Sequence, residues 1–166
     1  MDKGPHGTIE KYLARKNIDS MIKGLTGAGE PERVDVVCAS ANLFEVLGVQ
    51  PRLGGGFMEE EDQPSRNQVV VITESLWRRH FNADPALVGK TITLDGAAHV
   101  VAGILPPDFR FPSGDHLGHL FALGPRTEIF KPLGLNLKDV SNLSEFNYTV
   151  IARVKAGVSQ GQALAN

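Results

Sequence analysis

Cysteine is nearly absent from this chain of 166 residues, which carries only Cys38. One thiol excludes an internal disulfide and any multi-cysteine metal site. Cys38 falls in the β-like run Val34 to Ala39, where an inert, buried thiol is expected. An excess of charge is missing too. Seventeen basic against nineteen acidic residues leave a formal net charge of −2, without the clustered positive charge that a nucleic-acid partner requires. No run approaches the roughly 20 apolar residues of a membrane helix, and Met1 to Gly7 lack the apolar segment of a signal peptide. By themselves these absences describe a soluble, cytosolic protein. The C-terminus points elsewhere. Ser159 and Gln162 form the pattern of a capping box, yet the chain stops at Asn166 after scarcely two turns. The expectation is a piece of a longer protein, for which missing targeting and membrane segments carry no information.

Recognised chemistry is also scarce. Gly54-Gly55-Gly56 is not followed by Lys-Ser/Thr and has no strand-to-helix context, so it reads as a flexible turn, as do Gly27 and Gly29. The serines show no G-x-S-x-G elbow. Glu59 to Asp62 lacks the spacing of an EF-hand loop and reads as a solvated loop or a first helical turn. Asp115, His116 and His119 hold donors that could bind a metal, but no third strong ligand lies near the two histidines. His80, beside Arg78 and Arg79, reads as part of a small basic surface. No catalytic, cofactor or metal residue is assigned.

What the chain does contain is ordered scaffold, centred on residues 69–105. Val69 to Ile72 is a short β-forming run of the buried kind. Thr73 caps a helix, Glu74 to Phe81, whose Leu76, Trp77 and Phe81 share a side. Asp84-Pro85 opens a turn closed by Gly89. Thr91 to Leu94, then Asp95-Gly96, then Ala97 to Leu105 spell a hairpin with a type I′ turn. Upstream, Thr8 could cap a short helix, Ser20 to Thr26 and Arg33 to Ser40 read as strands, and Asn42 with Glu45 forms a capping box ended by Gly48. Downstream, Pro106-Pro107 stops the long strand. Asp108 to Pro125 reads as irregular loop, Glu128 to Leu133 as a short strand, Leu135 to Ser144 as linker and Phe146 to Val154 as an alternating strand. From residues alone this is an α/β domain without visible chemistry.

The order of its segments resembles a known family. Glu30-Pro31-Glu32-Arg33-Val34 and Ser40 to Pro51 (SANLFEVLGVQP), Glu60-Glu61-Asp62, Leu76 to Phe81 (LWRRHF), Asp84 to Gly96, Val100 to Pro112 and Val154 to Ala163 follow one another as in the periplasmic core domain of MacB-like ABC-transporter permeases. The likeness covers about residues 25 to 166; Glu128 to Leu133 stands where the family often has Asp-x-Trp-x-Pro-Leu. It implies an α+β fold: a mixed-sheet, Sabre-like lobe with short helices at residues 20–135, and parts of a porter-like βαβ lobe at residues 1–19 and 146–166. It also implies a non-catalytic domain at the periplasmic face of the bacterial inner membrane, without cofactor. Such a domain couples ATP-driven motion to efflux or envelope work. The implied partners are the transmembrane helices of its own permease, a separate or fused ABC ATPase and often a periplasmic adaptor protein, with no nucleic acid. Two alternatives compete with it: a small metal-dependent hydrolase using Asp115, His116 and His119, and a free-standing ligand-binding module built on the loops around Gly54 and Gly114. Under the permease reading, the loops Gly54 to Pro64 and Asp108 to Pro125 are the candidates for partner contact.

Overall fold

The computed structural model describes residues 9–15, 22–26, 30–111, 127–134, 148–154, 156–157 and 159. Among the described residues, nine strands and two helices follow one another: β1 (Ile9–Arg15), β2 (Ile22–Thr26), β3 (Glu32–Ala39), α1 (Leu43–Leu47), β4 (Leu53–Gly54), β5 (Val69–Ile72), α2 (Glu74–Phe81), β6 (Thr91–Leu94), β7 (Ala97–Ile104), β8 (Thr127–Pro132) and β9 (Tyr148–Val154). Single 3₁₀ turns occupy Glu59–Asp62 and Pro85–Leu87. The fold is α+β with a mixed sheet: β5 pairs β7 and β3 pairs β8 in parallel, and the other pairings are antiparallel.

The sheet closes on itself. Its strands run in the order β2-β6-β7-β5-β8-β3, and β2 pairs again with β3. A closed ring leaves those six strands no free edge between them, and it sorts side chains into inside and outside. One buried cluster draws on all six strands, through Leu25, Val34, Val36, Val70, Ile72, Ile92, Leu94, Val101, Ile104 and Ile129. This is the interior of the ring. Leu76, Trp77 and Phe81 of α2 join the same cluster and plug one end. The second cluster lies on the outer wall of β3, β5 and β8, where Val37, Val71 and Phe130 meet Leu43, Phe44 and Val46 of α1. Val70, Val71 and Ile72 are fully buried because β5 has core on both faces. That is why its sequence is continuously apolar where a one-sided strand alternates. Burial of each such side chain contributes about 1.5–3 kcal/mol.

Local chemistry sets the turns. The Thr73 hydroxyl accepts from the Leu76 N–H at 3.3 Å, and α2 ends on Asn82 in the left-handed region. The Trp77 indole N–H donates to the Asp84 carbonyl at 2.8 Å, which fixes the turn after α2 against its own helix. Asp95 and Gly96 both have positive φ, 49° and 79°, and join Leu94 to Ala97 in the two-residue hairpin expected of Asp-Gly.

Several expectations are corrected. No helix follows Thr8: Ile9–Arg15 is a strand, held in register by β9 along its whole length from Ile9↔Val154 to Arg15↔Tyr148. Asn42 stands at the helix start but its side chain makes no cap. Its backbone (φ −81°, ψ 8°) is not the extended conformation that aims a cap oxygen at the first turn, and the Ser40 hydroxyl bonds its side-chain oxygen instead. Gly54 is no flexible turn. It pairs with Gly103 across β4 and β7, and a Cβ on it would strike the Ala102 carbonyl. Cys38 is half-buried, not buried.

Candidate functional site

Beyond the ring, β1 and β9 form a two-stranded ribbon. Its attachment begins at β3, whose edge opposite β8 is divided in two. Glu32 to Asp35 pair with β2, whereas Cys38 and Ala39 pair with Arg15 and Ala14 of β1. The second attachment is a side chain. Arg153 of β9 donates from Nε to the carbonyl of Val46 at 2.6 Å, near the C-terminal end of α1. The last carbonyls of a helix lack partners within it and carry partial negative charge, so a guanidinium there is favourable. Helix α1 has no basic residue of its own in its last turn. Gly48 closes it in the left-handed conformation (φ 67°), with its N–H on the Glu45 carbonyl and that of Val49 on the Phe44 carbonyl.

The opposite end of α1 is held by the acidic run. Glu59 to Asp62 forms a 3₁₀ turn in which Glu61 accepts from the Met58 N–H at 2.8 Å. Asp62 reaches across the fold, accepting from the Ala41 N–H at 3.1 Å and from the Gly134 N–H at 3.0 Å. The helical-turn reading of the run therefore holds, with a long-range role for Asp62 that only the tertiary structure displays. Phe44 stacks against Phe57, Phe109 and Phe130, the last at 5.6 Å between ring centroids.

A charged cluster fastens α2 over the end of the ring. Arg79 bridges Glu32 of β3 and Glu128 of β8, and His80 Nδ1 lies 3.1 Å from Glu32. The hydrogen bonds from Arg79, assisted by its charge and by His80, hold the Glu32 carboxyl below its ordinary 4.5 despite partial desolvation. The two carboxylates in turn push Arg79 upward. Only 6% of the His80 side chain is exposed. The surface reading thus fits Arg78 and Arg79 but not His80, whose partner lies 48 positions away. Arg78 pairs with Glu74 one turn earlier on α2.

Near the opposite end, His99 is buried. Its Nδ1 lies 3.0 Å from the Ala97 carbonyl and its Nε2 3.1 Å from Lys131 Nζ. The carbonyl requires the proton on Nδ1, so Nε2 accepts from the ammonium. Burial lowers both groups, His99 below 6.5 and Lys131 below 10.5; the neighbouring ammonium lowers His99 further and the Cys38 thiol partly restores Lys131.

Asp115, His116 and His119 lie outside the described residues, as do the loop around Gly114, Gly27 and Gly29, and the capping residue Gln162. Of the two loops put forward for partner contact, Gly54 to Pro64 is described and exposes Met58, while the other is described only to Phe111. Among the described residues no three His, Cys, Asp or Glu gather as a metal site, and no helix is long and apolar enough to cross a membrane.

A small closed sheet with short helices, joined to a strand ribbon at β3 and at α1, defines an α+β scaffold domain. The sequence profile of the MacB-like periplasmic core domain family matches residues 9–166, taking in β1 as well as the segments from Glu30 onward. The chain belongs to that family, the extracytoplasmic domain of MacB-type ABC-transporter permeases. Its fold is similar to the periplasmic region of MacB from Actinobacillus actinomycetemcomitans, with 15% identity and a TM-score of 0.63 over 97% of this chain and 65% of that one. It is also similar to the extracellular domain of the noncanonic ABC-type transporter YknZ from Gram-positive bacteria, with 14% identity and a TM-score of 0.63 over 98% of this chain and 72% of that one. The chain thus spans less than two thirds of the MacB region it resembles. No curated protein matches it.

Proposed function

We propose that this domain is a non-catalytic relay in an ABC permease. Movement generated by an ABC ATPase at the cytoplasmic side reaches it through the permease's transmembrane helices, and it passes that movement to efflux or to other work in the envelope. Residues 20–135 form the Sabre-like lobe, and residues 1–19 with 146–166 belong to a porter-like lobe. A periplasmic adaptor protein is the partner on the outer side, and the exposed loop around Met58 is a surface on which it could dock. The observation that carries the reading is the family match over residues 9–166. A closed ring continued by a strand ribbon of the same sheet is an arrangement that suits such a relay.

The test uses the full-length permease with its ATPase in the native host. Replacing residues 30–134 by a short flexible linker should leave ATP hydrolysis by the purified complex within about twofold of normal. The same deletion should abolish resistance to exported toxic compounds, or the envelope phenotype of the intact gene. A deletion strain that keeps the full phenotype would overturn the proposal.

A further inference from the structure

Helix α1 is too short to be stable alone, since a single turn does not repay its nucleation cost. Its two ends are held from outside, by Asp62 at Ala41 and by Arg153 at Val46. We infer that α1 is a clasp between ribbon and ring, and that Arg153 is the residue through which a displacement of β9 enters the ring. This deepens the relay reading and rests on it.

The geometry supports a specific seat. The Val46 carbonyl receives the Arg153 Nε–H, and a Cβ at Gly48 would lie 2.6 Å from an Arg153 terminal nitrogen. Glycine at 48 therefore serves twice, permitting φ of 67° and leaving room for the guanidinium. From this seat the path inward is packed without a break. Phe44 and Val46 of α1 bury against Phe130 and Val71 of the outer wall, and close-packed side chains transmit displacement instead of absorbing it. A second path, the ladder of β1 on β3 at Cys38 and Ala39 among the described residues, ends on an edge that β3 shares with β2. Without Arg153 the ribbon keeps that ladder and the approach of β1 to α1, but loses its bond to the end of the helix.

The experiment reads distances in the full-length permease with its ATPase in lipid nanodiscs. Every cysteine of the full-length permease, Cys38 among them, is replaced by serine, and spin labels are placed at Val154→Cys on the ribbon and Val100→Cys on the ring, both exposed. Intact permease should show a ribbon-to-ring distance that stays constant between the nucleotide-free and vanadate-trapped states. The distance from residue 100 to a headgroup label should change. Arg153→Ala should broaden the ribbon-to-ring distance and cut the ring's displacement at least threefold, with ATP hydrolysis retained. Arg153→Gln, which keeps the bulk, takes its place should the alanine variant fail to fold. A ring that moves normally in these variants overturns the clasp and leaves the relay standing. A ring that does not move in the intact permease overturns both.

Discussion

Arg79 grips Glu128 with two parallel hydrogen bonds, Nη1 to Oε1 at 2.9 Å and Nη2 to Oε2 at 2.8 Å, and the same guanidinium reaches Glu32. One side chain thereby joins α2 to the first residue of β3 and the second of its neighbour β8. Forked geometry of this kind makes the pair stronger than an ordinary surface ion pair.

Loss of Arg79 should therefore be visible in the acid limb of stability. A carboxyl held below its ordinary value contributes stability that is complete above that value, 4.5 for Glu32, and is lost as pH falls through the lower folded value. Urea titrations of the native protein should show the midpoint dropping steeply below about pH 4.5. In Arg79→Met the midpoint should be lower at neutral pH and the slope shallower.

His99 should supply a separate limb at milder acidity. Its folded value lies below 6.5 because of burial, so below that pH the unfolded chain takes up a proton that the folded one resists. Stability should decline as pH falls from about 6.5 toward the folded value, and level off below it. His99→Leu should flatten that segment of the curve without changing the segment set by Glu32. A midpoint in the leucine variant that still falls across this window would assign it to another group.

The acidic run should divide sharply. Asp62→Ala leaves the N–H groups of Ala41 and Gly134 without their acceptor and should cost about 1–3 kcal/mol. Glu60→Gln, two positions earlier on the exposed side, should stay within about 0.5 kcal/mol. Equal effects in thermal unfolding would show that the run acts only through its total charge.

The three consecutive glycines should differ in the same way. Gly54→Ala forces a Cβ into the Ala102 carbonyl at a φ of 71° and should cost roughly 1–3 kcal/mol. Gly55→Ala meets nothing within 4 Å and should be neutral to about 0.5 kcal/mol. Emission from the buried Trp77, the single tryptophan of the chain, reports unfolding in each case.

The sequence displayed those features whose causes lie within a few residues. Val69 to Ile72, the Thr73 cap and the Asp95-Gly96 hairpin were legible because their signals are local. Closure of the ring was not, because pairing β2 with both β3 and β6 depends on registers between distant segments. Asn42 and Glu45 had the right spacing for a capping box, but spacing does not fix the backbone angles that aim the side chain. His80 and Asp62 look like members of a basic face and an acidic run. Their partners at Glu32, Ala41 and Gly134 identify them otherwise, and all are remote in sequence. Arg153 carried no signal beyond its place in an alternating strand.

β3 gives Glu32 to Asp35 of a single edge to β2 and Cys38 with Ala39 of the same edge to β1. The two neighbours draw on the same row of amides, and among the described pairings only Val36 and Val37 lie between them. Growth of the β1 contact past those two positions would begin to open the ring, and growth of the β2 contact past them would begin to peel away the ribbon. The position of this frontier along β3 is thus a scale on which strain between the two bodies would register. Amide exchange at Asp35 to Val37, where the frontier lies, is the place to look for it.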